Sequence, residues 1–158
     1  MSAILNPRNA ASFMGARAYN STTQSIANAS VVALTFNSEE FDTNAIHDIS
    51  TNPSRFTVPT GGAGYWAASL GGSWAISNAG ARYMLWKKNG SILRGAETLV
   101  TSLSSAAPHS LQSTMPVILL ADADYIEGCV YQTSGGSLNF GDASVDENRA
   151  ALTFYRVG

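Results

Sequence analysis

Between Arg55 and Gly90 the chain reads RFTVPTGGAGYWAASLGGSWAISNAGARYMLWKKNG, with short aromatic and β-branched runs broken every few residues by glycine or asparagine. Such runs suit strands, and breaks this frequent leave no room for a helix of ordinary length. Arg55–Val58 and Tyr65–Leu70 read as two antiparallel strands, with Thr60-Gly61-Gly62 between them as their turn. Gly71-Gly72 reads as a second break, followed by the polar stretch Ser77–Gly80. Arg82–Lys88 is then a third strand, closed by Asn89-Gly90, the strongest short hairpin signal in the chain.

The flanks continue the pattern. Residues 1–14 carry neither the helix nor the strand period and contain Asn6-Pro7, so they are expected to form an extended arm, with one domain over residues 15–158. Val31–Phe36 reads as a strand with Val32, Leu34 and Phe36 on one face. Asn37–Asn52 reads as a long acidic loop anchored inward by Phe41 and Ile46. Ser91–Arg94 and Thr98–Leu103 suit two more strands, and Pro108 and Pro116 forbid a long helix around them. Val117–Leu120, apolar on both faces, reads as a strand covered on both sides. Tyr125–Gln132, Leu138–Phe140 and Ala150–Val157 complete the set. Nine or ten short strands without an amphipathic helix predict an all-β, two-sheet antiparallel jelly-roll sandwich, a closed barrel being the alternative.

Charge and cysteine content narrow the function. A net charge of −2, with 13% charged residues, gives no basic field to neutralise phosphates, so nucleic acid is not an expected partner. No apolar run reaches membrane or signal-peptide length, so neither a membrane nor export through a signal peptide is expected. A surface so poor in charge suggests one covered by partners. The single cysteine, Cys129, excludes an intrachain disulfide and reads as a small buried residue, since no cation neighbours it in sequence.

The order of the pieces resembles the complement globular-head and tumour-necrosis-factor-like jelly-roll superfamily. The resemblance rests on Ala16-Arg17-Ala18-Tyr19-Asn20-Ser21, Phe41-Asp42-Thr43, Arg55-Phe56-Thr57, Gly64-Tyr65-Trp66, Asn89-Gly90, Leu120–Asp124 and Leu152-Thr153-Phe154. The glycine that the family pattern places before the aspartate is Ala123 here, and the aromatic pattern after Gly64 gives way to Ala67-Ala68. Ser25–Asn28, Thr51–Ser54 and Tyr131–Gly136 are similar to versions of the module in bacteriophage virion proteins. The resemblance implies a homotrimer, with each jelly roll set against its neighbour around a threefold axis. Leu152 and Phe154 are then expected in the monomer core, with Tyr131, Tyr155 and Val157 at the trimer interface. It also implies a location on the virion, assembled in the host cytoplasm, with the arm of residues 1–14 reaching other virion proteins.

Candidate chemistry is sparse. His47, Asp48 and His109 lie among many serines, but no Gly-x-Ser-x-Gly elbow accompanies them and no catalytic residue is expected. The two histidines lack the spacing of a zinc site. Asp122, Asp124 and Glu127, and likewise Asp142, Asp146 and Glu147, offer oxygens at spacings that admit calcium, though neither set matches a calcium loop and no cofactor is expected. Gly61-Gly62-x-Gly64 lacks the following helix of a phosphate loop. Of the three tryptophans, Trp66 suits the core, and Trp74, beside Gly72, is expected at the surface. Trp74, His47 and Asp48 are therefore the candidates for binding a host-surface glycan through loops 37–54, 71–80 and 104–115.

Overall fold

The computed structural model describes residues 13–101, 108–142 and 144–158. Among these residues there are twelve strands: β1 Gly15–Tyr19, β2 Gln24–Ile26, β3 Val32–Ala33, β4 Ser38–Asp42, β5 Phe56–Thr57, β6 Gly64–Trp74, β7 Ala81–Lys88, β8 Ser91–Thr101, β9 His109–Leu120, β10 Tyr125–Gln132, β11 Leu138–Phe140 and β12 Ala151–Arg156. Among the described residues the one helical piece is a 3-10 turn, Asp146–Asn148. No helix there is long and apolar enough to cross a membrane.

Two antiparallel sheets form, as the alternation requires. The first runs β2-β11-β6-β12-β1-β4, with β9 on the other edge of β6, and the second runs β3-β10-β7-β8, with β5 on β10. This is the jelly-roll sandwich, and the barrel alternative is excluded. Side chains from both sheets meet in one core, where Trp66 stacks on Phe154 (centroids 4.4 Å apart) and Phe56 meets Phe154 and Phe36 edge-on. Leu152 and Phe154 are fully buried, as their alternation in β12 predicts. On β10 the inward set is Ile126, Gly128, Val130 and Gln132, and a Cβ at Gly128 would lie 2.9 Å from Leu152. Cys129 is buried on the opposite side, and desolvation pushes its thiol up to about 12.

Several local expectations are corrected. Thr60-Gly61-Gly62 does not close a hairpin: β5 pairs with β10 in the second sheet, while β6 pairs with β12 and β9 in the first. The segment is a crossover between sheets, held because Asp122 accepts the backbone N–H groups of Gly61 (2.7 Å) and Ala63 (2.8 Å). The donors that a phosphate would need are thus already satisfied from within the chain. Gly71-Gly72 is no turn either; β6 runs straight through it, and Gly72 is small because the Phe140 ring would lie 2.6 Å from a Cβ there.

The strand expected at Val31–Phe36 is reduced to β3, although Leu34 and Phe36 are buried as predicted. Ile46 is buried, whereas Phe41 is partly exposed: it faces outward on β4 and meets Phe13 edge-on at 5.9 Å. Ser91–Arg94 and Thr98–Thr101 belong to one strand, β8, interrupted by a wide bulge around Gly95 (φ 68°); Ser102 and Leu103 lie outside the described residues. The β7–β8 hairpin does close at Asn89-Gly90, with φ of 49° and 78°, as a two-residue turn of the primed kind requires.

Candidate interaction face

The register of the first sheet determines what its outer face presents. Alternation sends Trp66, Ala68 and Leu70 of β6 inward, leaving Tyr65, Ala67, Ser69, Gly71 and Ser73 outward. Reading across the sheet, Tyr65 opposes Leu119; Ala67 opposes Tyr155, which opposes Gly15. The next row is Thr114, Ser69, Thr153, Arg17 and Phe41, and the one after it Gln112, Gly71, Ala151, Tyr19 and Ser38. Along β6 and β12 the middle of the face therefore carries only small side chains, Ala67, Ser69, Gly71, Thr153 and Ala151.

One end of the face is apolar and open to solvent. Tyr65 is 56% exposed, Val117 57% and Leu119 64%, with Tyr155 and Val157 beside them near 40%. Val117–Leu120 was expected to be covered on both sides; in β9 only Leu120 is fully inward, and Val117 and Leu119 point out. The reason is position. β9 is the edge strand beyond β6, and at Ala67 a bulge sets Pro116 and Val117 against one residue. Val117 and Leu119 of this edge strand therefore stand exposed beside Tyr65.

The other end is polar. A trench of about 400 Å³, lined by Arg17, Ser69, Gly71, Gln112, Glu147 and Arg149 among others, continues past Arg149 into a second hollow of about 280 Å³ beside Tyr19 and Glu40. Arg17 pairs with Glu40 at 2.6 Å and donates to Thr153 Oγ1 at 3.0 Å, and Arg149 pairs with Asp146 at 2.9 Å. Glu40 reaches Arg17 because the β1–β4 register slips by one residue there. Solvent-exposed ion pairs of this kind contribute about 0–1 kcal/mol each.

The residues singled out from sequence fall in different places. Tyr155 lies on the outer face of the first sheet, with Val157 just past the end of β12 and bonded through its N–H to the Tyr65 carbonyl (2.7 Å), but Tyr131 is in β10 of the second, edge-on to Tyr83 at 5.3 Å. Alternation tells which residues point outward and is silent about which sheet carries them. Trp74, expected at the surface, is fully buried at the end of β6, edge-on to Phe140 at 4.9 Å. His47 is not a loop residue open to ligand. Its side chain reaches no solvent, its Nδ1 lies 2.9 Å from Glu39 Oε1 and its Nε2 3.1 Å from the Pro53 carbonyl, and the ring stacks on Phe56. Asp48 is exposed and forms the local turn: Oδ1 accepts the N–H groups of Thr51 and Ser50 and the Ser50 hydroxyl, which together hold the carboxyl down at about 2.

The carboxylates weighed for calcium are turned to separate tasks. Asp122 caps the crossover, and those N–H groups, Gly61 first, hold its carboxyl below the usual aspartate value. Asp124 takes Lys88 at 2.8 Å and the Asn89 amide at 2.7 Å, and Glu127 takes the Ser54 hydroxyl at 2.9 Å. Asp142 takes the Ser144 N–H and hydroxyl, and Asp146 and Glu147 line the trench. Among the described residues no three His, Cys, Asp or Glu side chains gather as metal ligands would. Of the loops proposed to recognise glycans, residues 71–74 and 109–115 are strand, while 104–107 lie outside the described residues.

No protein-family model matches the chain, and no curated protein matches it. Solved structures do. Murine APRIL at pH 5.0 superposes with a TM-score of 0.60 at 12% identity, covering 92% of this chain and 100% of that one. Eiger TNF from S. frugiperda gives 0.55 at 11% identity, covering 92% and 93%. The likeness is therefore one of fold: the sandwich is a tumour-necrosis-factor-like jelly roll.

Proposed function

We propose that this chain is a non-enzymatic structural protein of a bacteriophage particle, a homotrimeric jelly-roll module that decorates the virion surface or serves in adhesion, tethered through its N-terminal arm. The observation that carries the self-association is the outer face of the first sheet: small side chains along β6 and β12 at its centre, and apolar, exposed ones at Tyr65, Val117, Leu119, Tyr155 and Val157. A face of this kind is stable in water when a second surface covers it. Three copies around an axis close the assembly, as the tumour-necrosis-factor-like architecture suggests, and the few charges of the chain agree with a largely covered surface. The virion setting rests on the similarity of the Ser25–Asn28, Thr51–Ser54 and Tyr131–Gly136 segments to phage modules.

Phe13 and Met14, the last residues of the expected arm, pack on the domain, so the tether proper is residues 1–12, which lie outside the described residues. Light scattering at micromolar concentration should give three times the chain mass of 16.6 kDa. A clean monomer removes the trimer. Deleting residues 1–12 should leave the oligomer intact and abolish incorporation into particles; unchanged incorporation removes the tether.

A second reading, a receptor-binding tip for host glycans, is favoured by a cleft of about 280 Å³ lined by Asp48, Thr51, Asn52, Arg55 and Tyr125. There Arg55 covers one face of the Tyr125 ring at 4.2 Å, which fixes a guanidinium among the polar groups of the cleft. Glycan-array binding that disappears in Tyr125→Ala, with the mass unchanged, would select this reading over the first.

A further inference from the structure

His47 stands in the segment between β4 and β5, joined to Phe56 by an isolated backbone bridge, and its ring reaches no solvent. Phe56 stacks on the ring with centroids 4.7 Å apart, and Phe36 meets it edge-on at 6.3 Å. Both ring nitrogens face oxygens. Nδ1 lies 2.9 Å from Glu39 Oε1 on β4, and Nε2 lies 3.1 Å from the Pro53 carbonyl, which also accepts the Phe36 N–H at 2.9 Å.

A carbonyl and an ionised carboxylate only accept, whereas a neutral imidazole carries one N–H and one bare lone pair. A neutral ring would therefore set its lone pair against an oxygen at one of its two ends. Only a ring with two N–H groups satisfies both. The Glu39 side chain is 31% exposed and keeps contact with water, so the extra proton belongs on the ring rather than on the carboxyl. The other charged groups nearby agree with a cation there. Asp42 accepts the His47 backbone N–H at 2.8 Å, Asp48 follows in the chain, and Arg55, which lines the same cleft, is engaged with the Tyr125 ring and Glu127.

We propose that His47 is held as an imidazolium and acts as a proton-dependent latch between β4 and the segment that follows it. Charged, the ring ties Glu39 to Pro53; neutral, it lets one end go. The latched segment supplies Asp48, Thr51, Asn52 and Arg55 to the cleft of about 280 Å³, so the proton sets how firmly that wall of the cleft is held. Folding takes up one proton wherever the unfolded histidine is neutral, above about pH 6.5. The latch's contribution to stability is then full below that pH and is lost as pH rises through the point at which the folded ring gives up its proton.

Two measurements on the full chain test this. At about pH 7.5, where a free histidine is roughly nine-tenths neutral, long-range proton–nitrogen NMR spectra should show protons on both ring nitrogens of His47. In chemical denaturation above about pH 6.5, the folding equilibrium constant should fall by up to about tenfold per pH unit. Glu39→Gln separates a latch from a structural contact and leaves His109 untouched. Its amide N–H can donate to a bare Nδ1 while Nε2–H keeps the Pro53 carbonyl, so a neutral ring fits and the alkaline fall should shrink or vanish with the fold retained. A bare nitrogen on His47 at about pH 7.5, or an alkaline fall of the same size in both chains, overturns the proposal. Should Glu39→Gln fail to fold, the ring spectra of the unsubstituted chain decide.

Discussion

At the scale of single residues, the backbone is most demanding where a side chain is least tolerable. Gly80 has a φ of 68°, and a Cβ there would lie 1.9 Å from the Thr133 carbonyl oxygen, which is backbone and does not swing aside. Gly80→Ala should therefore cost about 2–4 kcal/mol in chemical denaturation. Ala123 shows the converse. It occupies the left-handed region at φ 66° in an exposed turn, at the position where the resembled family carries glycine. Ala123→Gly should stabilise the fold by about 0.5–1 kcal/mol, raising the denaturation midpoint without changing the slope. The same scale shows where sequence reading succeeds and fails. The inward course of Leu152 and Phe154 follows from period two alone. The burial of Trp74 does not, because Gly72 looks like a turn former until the Phe140 ring that needs its space is known.

Among elements, the β7–β8 hairpin was legible from Asn89-Gly90, and the structure adds what locks it. Asn89 and Tyr125 exchange bonds: Asn89 N–H donates to the Tyr125 carbonyl (3.0 Å) and Tyr125 N–H to Asn89 Oδ1 (2.9 Å). Asp124 then takes the Asn89 amide, Lys88 and the Ala121 N–H. Lys88 first, then Asn89 and Ala121, hold the Asp124 carboxyl at about 2 against an ordinary 3.8. A carboxyl depressed by folding stabilises above its unfolded value and loses that contribution as pH falls through the folded one. Stability should thus fall between about pH 4 and pH 2. Asp124→Asn should flatten this part of the profile; an unchanged acid limb would show that other carboxyls dominate. Pairing across sheets was the less legible part, since the Gly61-Gly62 crossover and a hairpin turn use the same residue types, and only the partners of β5 and β6 tell them apart.

For the whole molecule, the proposed trimer is tested by one substitution on each outer face. Tyr155→Glu on the first sheet should reduce the mass in solution to that of one chain, while Tyr131→Glu on the second should leave it unchanged; the reverse result would move the interface to the second sheet. The face itself was only half legible. Tyr155 and Val157 follow from alternation in the last strand, whereas Leu119 was hidden in an apolar run that gives no sign of lying at an edge. The first and last described strands lie side by side, Arg156 N–H bonding to the Met14 carbonyl, so the chain enters and leaves at the same pole. The Gly135-Gly136 turn belongs to the opposite pole, beside the loop before β7, and a Cβ at either glycine would meet nothing within 4 Å. Under the proposed tether the molecule has one pole for fastening and one for cargo: a peptide spliced between Gly135 and Gly136 would stand away from β1, whereas one fused after Gly158 would crowd it.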